Sequence, residues 1–310
     1  MQEKYLVTGG AGFIGSNIVK ELLNRGHYVR VIDNFSTGKK ENLSEFDDKI
    51  DVINGDIRYL NTLLEVMDGI DYVFHEAALP SVPRSVSTPI ETNDVNINGT
   101  LNVLFAAKKK GVKRVVYAGS SSAYGESEVL PKVETMKPAP LSPYAVNKLT
   151  GEYYCQVFYR VYGLETVVLR YFNVFGPKQD PTSYYSAVIP KFINLIKKGK
   201  SPVIFGDGEQ SRDFSYIENV VSANLLASKA PKAPGEVFNV ACGERITLNK
   251  LTEEMKKILN ADVDVLHGEE RVGDIKHSLA DIAKAEKLLG YEVKVNVIDG
   301  LKKTIDYFAG

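Results

Sequence analysis

Cysteine is the scarcest chemical resource in this chain: Cys155 and Cys242 are the only two. Two thiols cannot build a disulfide framework or a multi-thiolate zinc site. No metal centre is expected, and buried free thiols in a reducing compartment are the plain reading. An excess of charge is also missing, because 38 basic residues against 39 acidic ones leave a formal net charge of −1. Without a basic excess there is little to displace counterions, which argues against a surface built for nucleic acid. No apolar run approaches the roughly 20 residues that a bilayer demands, and Met1-Gln2-Glu3-Lys4 lacks the plan of a signal peptide. A cytoplasmic protein with no membrane partner is expected. What remains is ordinary for a globular chain: 44% hydrophobic and 25% charged residues over 310 positions. That excludes disorder and suffices for one large domain plus a smaller one.

The first half alternates two rhythms. Tyr5-Leu6-Val7, Tyr28–Ile32, Asp51-Val52-Ile53, Tyr72-Val73-Phe74, Arg114–Tyr117 and Thr166–Arg170 are short β-branched or aromatic runs. Helical spacing lies between most of them, as in Phe13–Arg25, where Ile14, Ile18, Leu22 and Leu23 recur and Gly26 closes the helix. Strand and helix in alternation predict an α/β fold, a doubly wound and mostly parallel sheet with helices on both faces. After Asn173 prolines and glycines multiply, and helices at 187–198, 218–227, 248–258 and 281–289 are separated by short strands and loops. The expectation is a domain over 1–173 and a smaller mixed lobe over 174–310, with a soft boundary that the chain crosses more than once.

Thr8-Gly9-Gly10-Ala11-Gly12-Phe13-Ile14-Gly15 follows the first strand and opens the first helix. Glycine permits unusual φ values and lets backbone approach a ligand closely, while the helix start offers unpaired N–H groups to a pyrophosphate. Both Gly10-x-Gly12-x-x-Gly15 and Gly9-x-x-Gly12-x-x-Gly15 fit dinucleotide spacings. Alone, such a motif is a tight strand–helix turn; in the first strand–turn–helix unit of an alternating chain it points to a cofactor. Asp33 closes the second strand, where a carboxylate accepts both ribose hydroxyls and repels a 2′-phosphate. Asn34 follows with no arginine nearby, so NAD is expected over NADP, although Lys39 and Lys40 could reach a phosphate. Asp56-Ile57 either borders the adenine or forms a solvated turn.

Tyr144-Ala-Val-Asn-Lys148 sets a phenol and an ammonium on one helix face. A lysine charge together with a positive nicotinamide would lower the phenol from its usual pKa near 10 and make it a general acid/base. Ser142-Pro143 marks the helix start. Ser120, in Ser120–Gly125 after the fifth strand, stands where parallel sheets bind ligands and is the choice to hydrogen-bond a reacting oxygen. An amphipathic helix and a serine-rich turn are the plain readings of each motif alone; glycine loop, serine, tyrosine and lysine in this order are far more specific together.

These residues, with His75-Glu76-Ala77-Ala78, Arg170–Pro177, Gly206-Asp207-Gly208 and Ser211-Arg212-Asp213, make the chain resemble an extended short-chain dehydrogenase/reductase of Rossmann type. Within that group it resembles the UDP-sugar 4-epimerases over essentially its whole length. Ser81–Ser85 and His277–Asp281 resemble the UDP-N-acetylglucosamine 4-epimerases of polysaccharide synthesis in particular. The resemblance implies bound NAD and a transient 4-keto sugar, with Tyr144 and Ser120 handling the proton of the 4-hydroxyl. Lys148 would bind the nicotinamide ribose. Ala77, Ala78, Asn96 and Tyr171 would join Gly9, Gly12, Phe13, Ile14, Gly15, Asp33, Asn34, Asp56 and Ile57 at the cofactor. Asn173, Arg212 and Arg271 would hold the diphosphate, with Phe205 and Asp274 at the uridine and Val188 beside them. Ser81, Arg84, Ser122 and Ser278 would line the sugar side. A tyrosine at the Ser278 position would crowd a 2-acetamido group; serine leaves room, without excluding UDP-glucose or UDP-galactose.

Competing readings are a 4,6-dehydratase, whose Asp-Glu pair is here Ser121-Ser122, an NADPH-dependent reductase, against which Asp33 argues, and a UDP-glucuronate epimerase, which Arg84 leaves open. A regulator that binds NAD without turnover is the alternative from a different class; it would not need Tyr144 and Lys148 so spaced. Thr100–Lys110 and Ser142–Val161 resemble helices that pair in family homodimers.

Overall fold

The computed structural model describes residues 2–125, 127–181, 188–270 and 276–309. Six strands come from the first half: β1 (Lys4–Thr8), β2 (Tyr28–Asp33), β3 (Asp51–Asn54), β4 (Tyr72–His75), β5 (Arg114–Ser120) and β6 (Glu165–Tyr171). They alternate with α1 (Phe13–Asn24), α2 (Leu60–Val66), α3 (Val82–Ser87), α4 (Pro89–Asn93), α5 (Gly99–Lys109) and α6 (Pro143–Tyr162). The second half supplies short strands β7 (Val174–Phe175), β8 (Val203–Phe205), β9 (Ser211–Arg212), β10 (Ser215–Tyr216), β11 (Val237–Val240), β12 (Ile246–Thr247) and β13 (Leu266–Gly268). Among them lie α7 (Val188–Lys197), α8 (Ile217–Lys229), α9 (Leu248–Ile258), α10 (Ala283–Leu289) and α11 (Val297–Ala309).

One seven-stranded sheet runs β11-β6-β5-β4-β1-β2-β3, every neighbour parallel. Parallel strands need both faces covered, and two cores do this. Ile18, Val19 and Leu22 of α1 pack with Ile217, Val220 and Ala223 of α8 on one side. Leu63 and Val66 of α2, Val103 and Leu104 of α5 and Cys155 and Phe158 of α6 cover the other. The expected doubly wound sheet is what forms, and β11 shows that it draws strands from both sides of residue 173. The smaller strands pair as β10–β7, β12–β9 and β13–β8, of which β12–β9 is antiparallel. Among the described residues no helix is long and apolar enough to cross a membrane.

Strand order reverses between β1 and β4. Such a reversal opens a crevice at the carboxyl ends of the strands, because successive crossovers leave in opposite directions. α6 is aimed at that crevice by its ends and its packing. Ser142 caps it, its Oγ accepting from Ala145 N at 3.1 Å, and Pro143 occupies the first turn. Gly163, at φ +65°, ends it in the left-handed conformation. In the middle, Gly151 lets the helix settle against Tyr117 of β5. A Cβ on Gly151 would lie 2.3 Å from the Tyr117 hydroxyl oxygen, which donates to Lys148 O at 3.3 Å. Gly151→Ala should therefore lower stability by about 1–3 kcal/mol, the usual cost of overpacking. An unchanged urea midpoint would show that α6 is not seated on this contact.

Candidate active site

Gly9 leaves β1 at φ +70°, and a Cβ there would stand 2.7 Å from Ala77 Cα. A Cβ on Gly15 would stand 2.3 Å from Gly9 O. Both positions thus require glycine for close backbone approach. Gly12 begins α1 with no side-chain cap, so the amides of the first turn face open space with their donors and the positive end of the helix dipole. That space is a cleft of about 1000 Å³. Gly9, Gly12, Phe13, Ile14, Gly15, Asp33, Asn34, Asp56, Ile57, Ala77, Ala78, Ser120, Ser122, Tyr144, Tyr171, Asn173, Arg212 and Ser278 all line it. An uncapped helix end behind glycines that tolerate no side chain fits a dinucleotide diphosphate.

Asp33 is buried, with Oδ2 accepting from Ala11 N at 2.9 Å and Oδ1 from Phe35 N at 2.8 Å. Burial raises its pKa, against those two bonds. Each oxygen keeps a second lone pair for a ribose hydroxyl. Asp56 is not a solvated turn residue. Arg58 grips it (Nη2–Oδ2 2.7 Å, Nε–Oδ1 3.0 Å), Asn34 Nδ2 donates to it at 2.8 Å, and its pKa falls to about 2, chiefly through the Arg58 bonds. The lysines weighed against NAD have protein partners: Lys39 pairs with Asp180 at 2.9 Å, and Lys40 lies over the Phe35 ring. Lys39 is part of a strap over the cleft. Lys178 Nζ donates to Asn42 O at 2.7 Å and to Glu45 at 2.8 Å, and Asn17 Nδ2 donates to Pro177 O at 3.2 Å.

At the other end Ser120 and Ser122 hydroxyls lie 2.8 Å apart, and Tyr144 lines the cleft together with them. Burial raises the Tyr144 pKa, and the neighbouring Ser120 opposes it. The expectation that Lys148 lowers this phenol is not met by the protein's own groups. Lys148 is buried, its Nζ donates to Ala118 O at 2.8 Å, and burial lowers its own pKa, with Glu76 opposing.

Several expected contact residues stand back from the cleft. Lys148, Asn96, Ser81, Arg84, Val188 and Phe205 are not among its lining residues. Asn96 lies in a π-type widening at Asp94–Asn98 and brackets Leu79, accepting from its N at 2.8 Å and donating to its O at 3.3 Å. It shapes the cleft wall rather than facing the cavity. Ser81 caps α3, accepting from Arg84 N at 3.1 Å. Arg84 is carried in that helix; Val82 and Pro83 line the cavity in its place. Val188 opens α7 against the core, and Phe205 sits in β8 beside Gly268. Arg271 and Asp274 lie outside the described residues.

Behind the lining residues Asn173 and Arg212, Asp213 is a hub. Its carboxylate accepts from Cys242 N at 2.9 Å, Gly243 N at 3.1 Å and Ala280 N at 3.2 Å, and its carbonyl accepts from Asn173 Nδ2 at 3.0 Å. Burial pushes its pKa up to about 6 against those amides. His277 makes an isolated bridge to Ser211, and the next residue, Ser278, donates its N to Ser211 O at 3.0 Å. Among the cleft-lining residues to which the sequence reading gave no role are Glu76, Lys132 and Lys178. Glu76 alone carried a local signal, a charged residue directly after a buried strand.

Fold and cleft define a dinucleotide-binding protein of the extended short-chain dehydrogenase/reductase class. Residues 5–241 match the NAD dependent epimerase/dehydratase family, and the chain belongs to it, with NAD as cofactor. It is similar to the UDP-N-acetylglucosamine 4-epimerase of Methanobrevibacter ruminantium M1, solved in complex with UDP-N-acetylmuramic acid: 43% identity, TM-score 0.95, covering 100% of this chain and 99% of that one. The Thermotoga maritima UDP-glucose 4-epimerase, solved with UDP-glucose, gives 40%, 0.95, 99% and 98%. The Thermus thermophilus UDP-glucose 4-epimerase, solved with NAD, gives 35%, 0.90, 99% and 99%.

Proposed function

We propose that the protein is an NAD-dependent epimerase that inverts C4 of a UDP-hexose, with the N-acetylglucosamine and N-acetylgalactosamine pair as its preferred substrates. The observation that carries this reading is that Ser120 and Tyr144 line the same cleft as the glycine cradle. Bound NAD supplies a hydride acceptor and donor. Tyr144 takes and returns the proton at the sugar 4-oxygen, and Ser120 holds that oxygen by a hydrogen bond. Gly9, Gly12 and Gly15 with the first-turn amides of α1 hold the cofactor diphosphate, and Asp33 its ribose. Arg212 and Asn173 grip the substrate diphosphate, for which a guanidinium is well matched.

Inversion at one carbon requires a hexose that can present either face, so the sugar end must be loosely held. Ser122 and Ser278 are short side chains at that end of the cleft, and the small Ser278 leaves room for a 2-acetamido group. The uronate alternative rests on Arg84, which α3 carries next to the lining residues Val82 and Pro83.

The deciding experiment incubates the enzyme with UDP-GlcNAc, UDP-Glc or UDP-glucuronate, without added nicotinamide, and reads C4 epimers by NMR. UDP-GlcNAc should turn over fastest. Bound NAD with no conversion of any sugar would instead mark a sensor. Tyr144→Phe should cut kcat by roughly 10²–10⁴-fold, the range for a general acid/base, with NAD still bound; near-full rate would remove Tyr144 from the role. Ser278→Tyr should shift kcat/KM from UDP-GlcNAc towards UDP-Glc by about tenfold or more, which corresponds to ~1.4 kcal/mol. Equal loss on both sugars would place Ser278 away from the acetamido group.

We also propose a homodimer through α5 and α6. Phe105, Val146, Tyr153 and Val157 are exposed apolar side chains on these helices, and the last three recur at helical spacing on one face. Light scattering after size exclusion should give twice 34.3 kDa, and Val157→Arg should give monomer. A parent that is monomeric at micromolar concentration rules the interface out.

A further inference from the structure

Glu76 is a carboxyl group that the reaction described above does not use. It directly follows β4 and lines the cleft together with Tyr171. The Tyr171 hydroxyl, at the end of β6, donates to Glu76 Oε1 at 2.9 Å and accepts from Asn224 Nδ2 of α8 at 2.8 Å. Because β5 lies between β4 and β6, this hydrogen bond reaches across β5 at the cleft floor. Asn224 is fully buried, and its Nδ2 also donates to Val220 O at 2.9 Å. The carboxyl is therefore fixed by two elements rather than free to turn away.

Its place among the other groups is equally defined. His75 is in register with Tyr117, so the next residue, Glu76, falls beside Ala118, whose carbonyl receives the Lys148 ammonium at 2.8 Å. Ser120 is in register with Tyr171, which brings the Ser120–Tyr144 pair to the same end of the cleft. Ala77, the next residue along, packs against Gly9 of the cradle. Glu76 thus lies between the diphosphate cradle and the proton-handling pair. Burial raises its pKa while Lys148 pulls it down, and burial lowers that of Lys148 while Glu76 pulls it up. The two groups sense each other's charge.

We propose that Glu76 is a positioning residue that sets the oxidation poise of the bound dinucleotide, its carboxylate favouring the cationic oxidised nicotinamide over the neutral reduced one. The inference rests on NAD occupying this cleft. A hydride added to the ring removes its positive charge, so a fixed negative charge nearby stabilises one redox form and not the other. In a cleft screened from water such a difference is larger than in bulk solvent. An enzyme whose cofactor must start each cycle oxidised benefits from that bias.

The test compares NAD and NADH binding to cofactor-stripped parent, Glu76→Gln and Glu76→Asp proteins, by calorimetry and NADH fluorescence. Glutamine keeps an acceptor for Tyr171 and loses the charge. Glu76→Gln should shift the Kd(NAD)/Kd(NADH) ratio by about tenfold towards NADH, and Glu76→Asp should restore much of the parent ratio. Parallel weakening of both forms would reduce Glu76 to a structural role and overturn the proposal, as would an unchanged ratio. Failure of the parent to bind either nucleotide would instead overturn the cofactor reading of the cleft.

Discussion

The chemistry of the cleft depends on the seating of α6 against β5. β5 delivers Ser120 and α6 delivers Tyr144 and Lys148, so the two elements must keep one relative height. Tyr117 against Gly151 allows the close approach, and two cross-ties fix the height: the Tyr117 hydroxyl to Lys148 O and the Lys148 ammonium to Ala118 O. A slip of one helical turn, about 5.4 Å, would part Tyr144 from Ser120. One residue beyond Gly151, Glu152 receives a two-pronged bond from Arg170 of β6 (2.9 and 2.7 Å), both groups almost fully buried. A buried pair of this kind adds little net stability over an apolar contact, but losing one partner costs about 3–5 kcal/mol. It therefore serves best as a register device, holding α6 to the next strand along.

The cofactor end uses a different principle. There, backbone meets backbone, and side chains are excluded at Gly9 and Gly15 so that α1 can turn its uncapped amides to the cleft. Uncapped amides give no specificity among anions, and the strap supplies what they lack in retention. Lys178, Asp180 and Pro177, which follow β7, tie to Glu45, Asn42, Lys39 and Asn17 of the first domain half. These bonds join segments more than 130 residues apart across the mouth of a single cleft. Closing them orders two loops that a dinucleotide would otherwise have to order itself.

Such distances explain what was readable in the sequence and what was not. The strands of the first half and its helices α1, α5 and α6 follow from the pattern of residues, and Gly9 to Gly15, Asp33, Ser120, Tyr144 and Lys148 declare themselves by local spacing. β11 does not: four residues containing the buried Asn239 carry no pattern of their own, and their place beside β6 is a pairing with residues about 70 positions earlier. Lys178 and Glu76 matter because of Asn42, Tyr171 and Asn224, which no local window contains. Positions carried over from the family resemblance identify a neighbourhood but not a side-chain direction. Hence Ser81 caps the short helix α3 and Arg84 is carried within it, while Val82 and Pro83 of the same helix line the cleft. Charge state was the least legible property, because it depends on burial.

Tyr144 shows how that matters. A phenol raised by burial is a stored proton rather than a base, and the Lys148 ammonium, held on Ala118 O, does not reverse this. A further positive charge entering the cleft would favour the phenolate. By linkage, the phenolate then tightens the binding of whatever brought that charge, by the same factor. The oxidised cofactor carries such a charge and the reduced one does not. In the proposed reaction, the competence of Tyr144 as a base and the retention of the oxidised cofactor are therefore two readings of one coupling. In that reaction, the burial that raises the Tyr144 pKa opposes loss of its proton, and the positive charge of the oxidised cofactor would favour that loss.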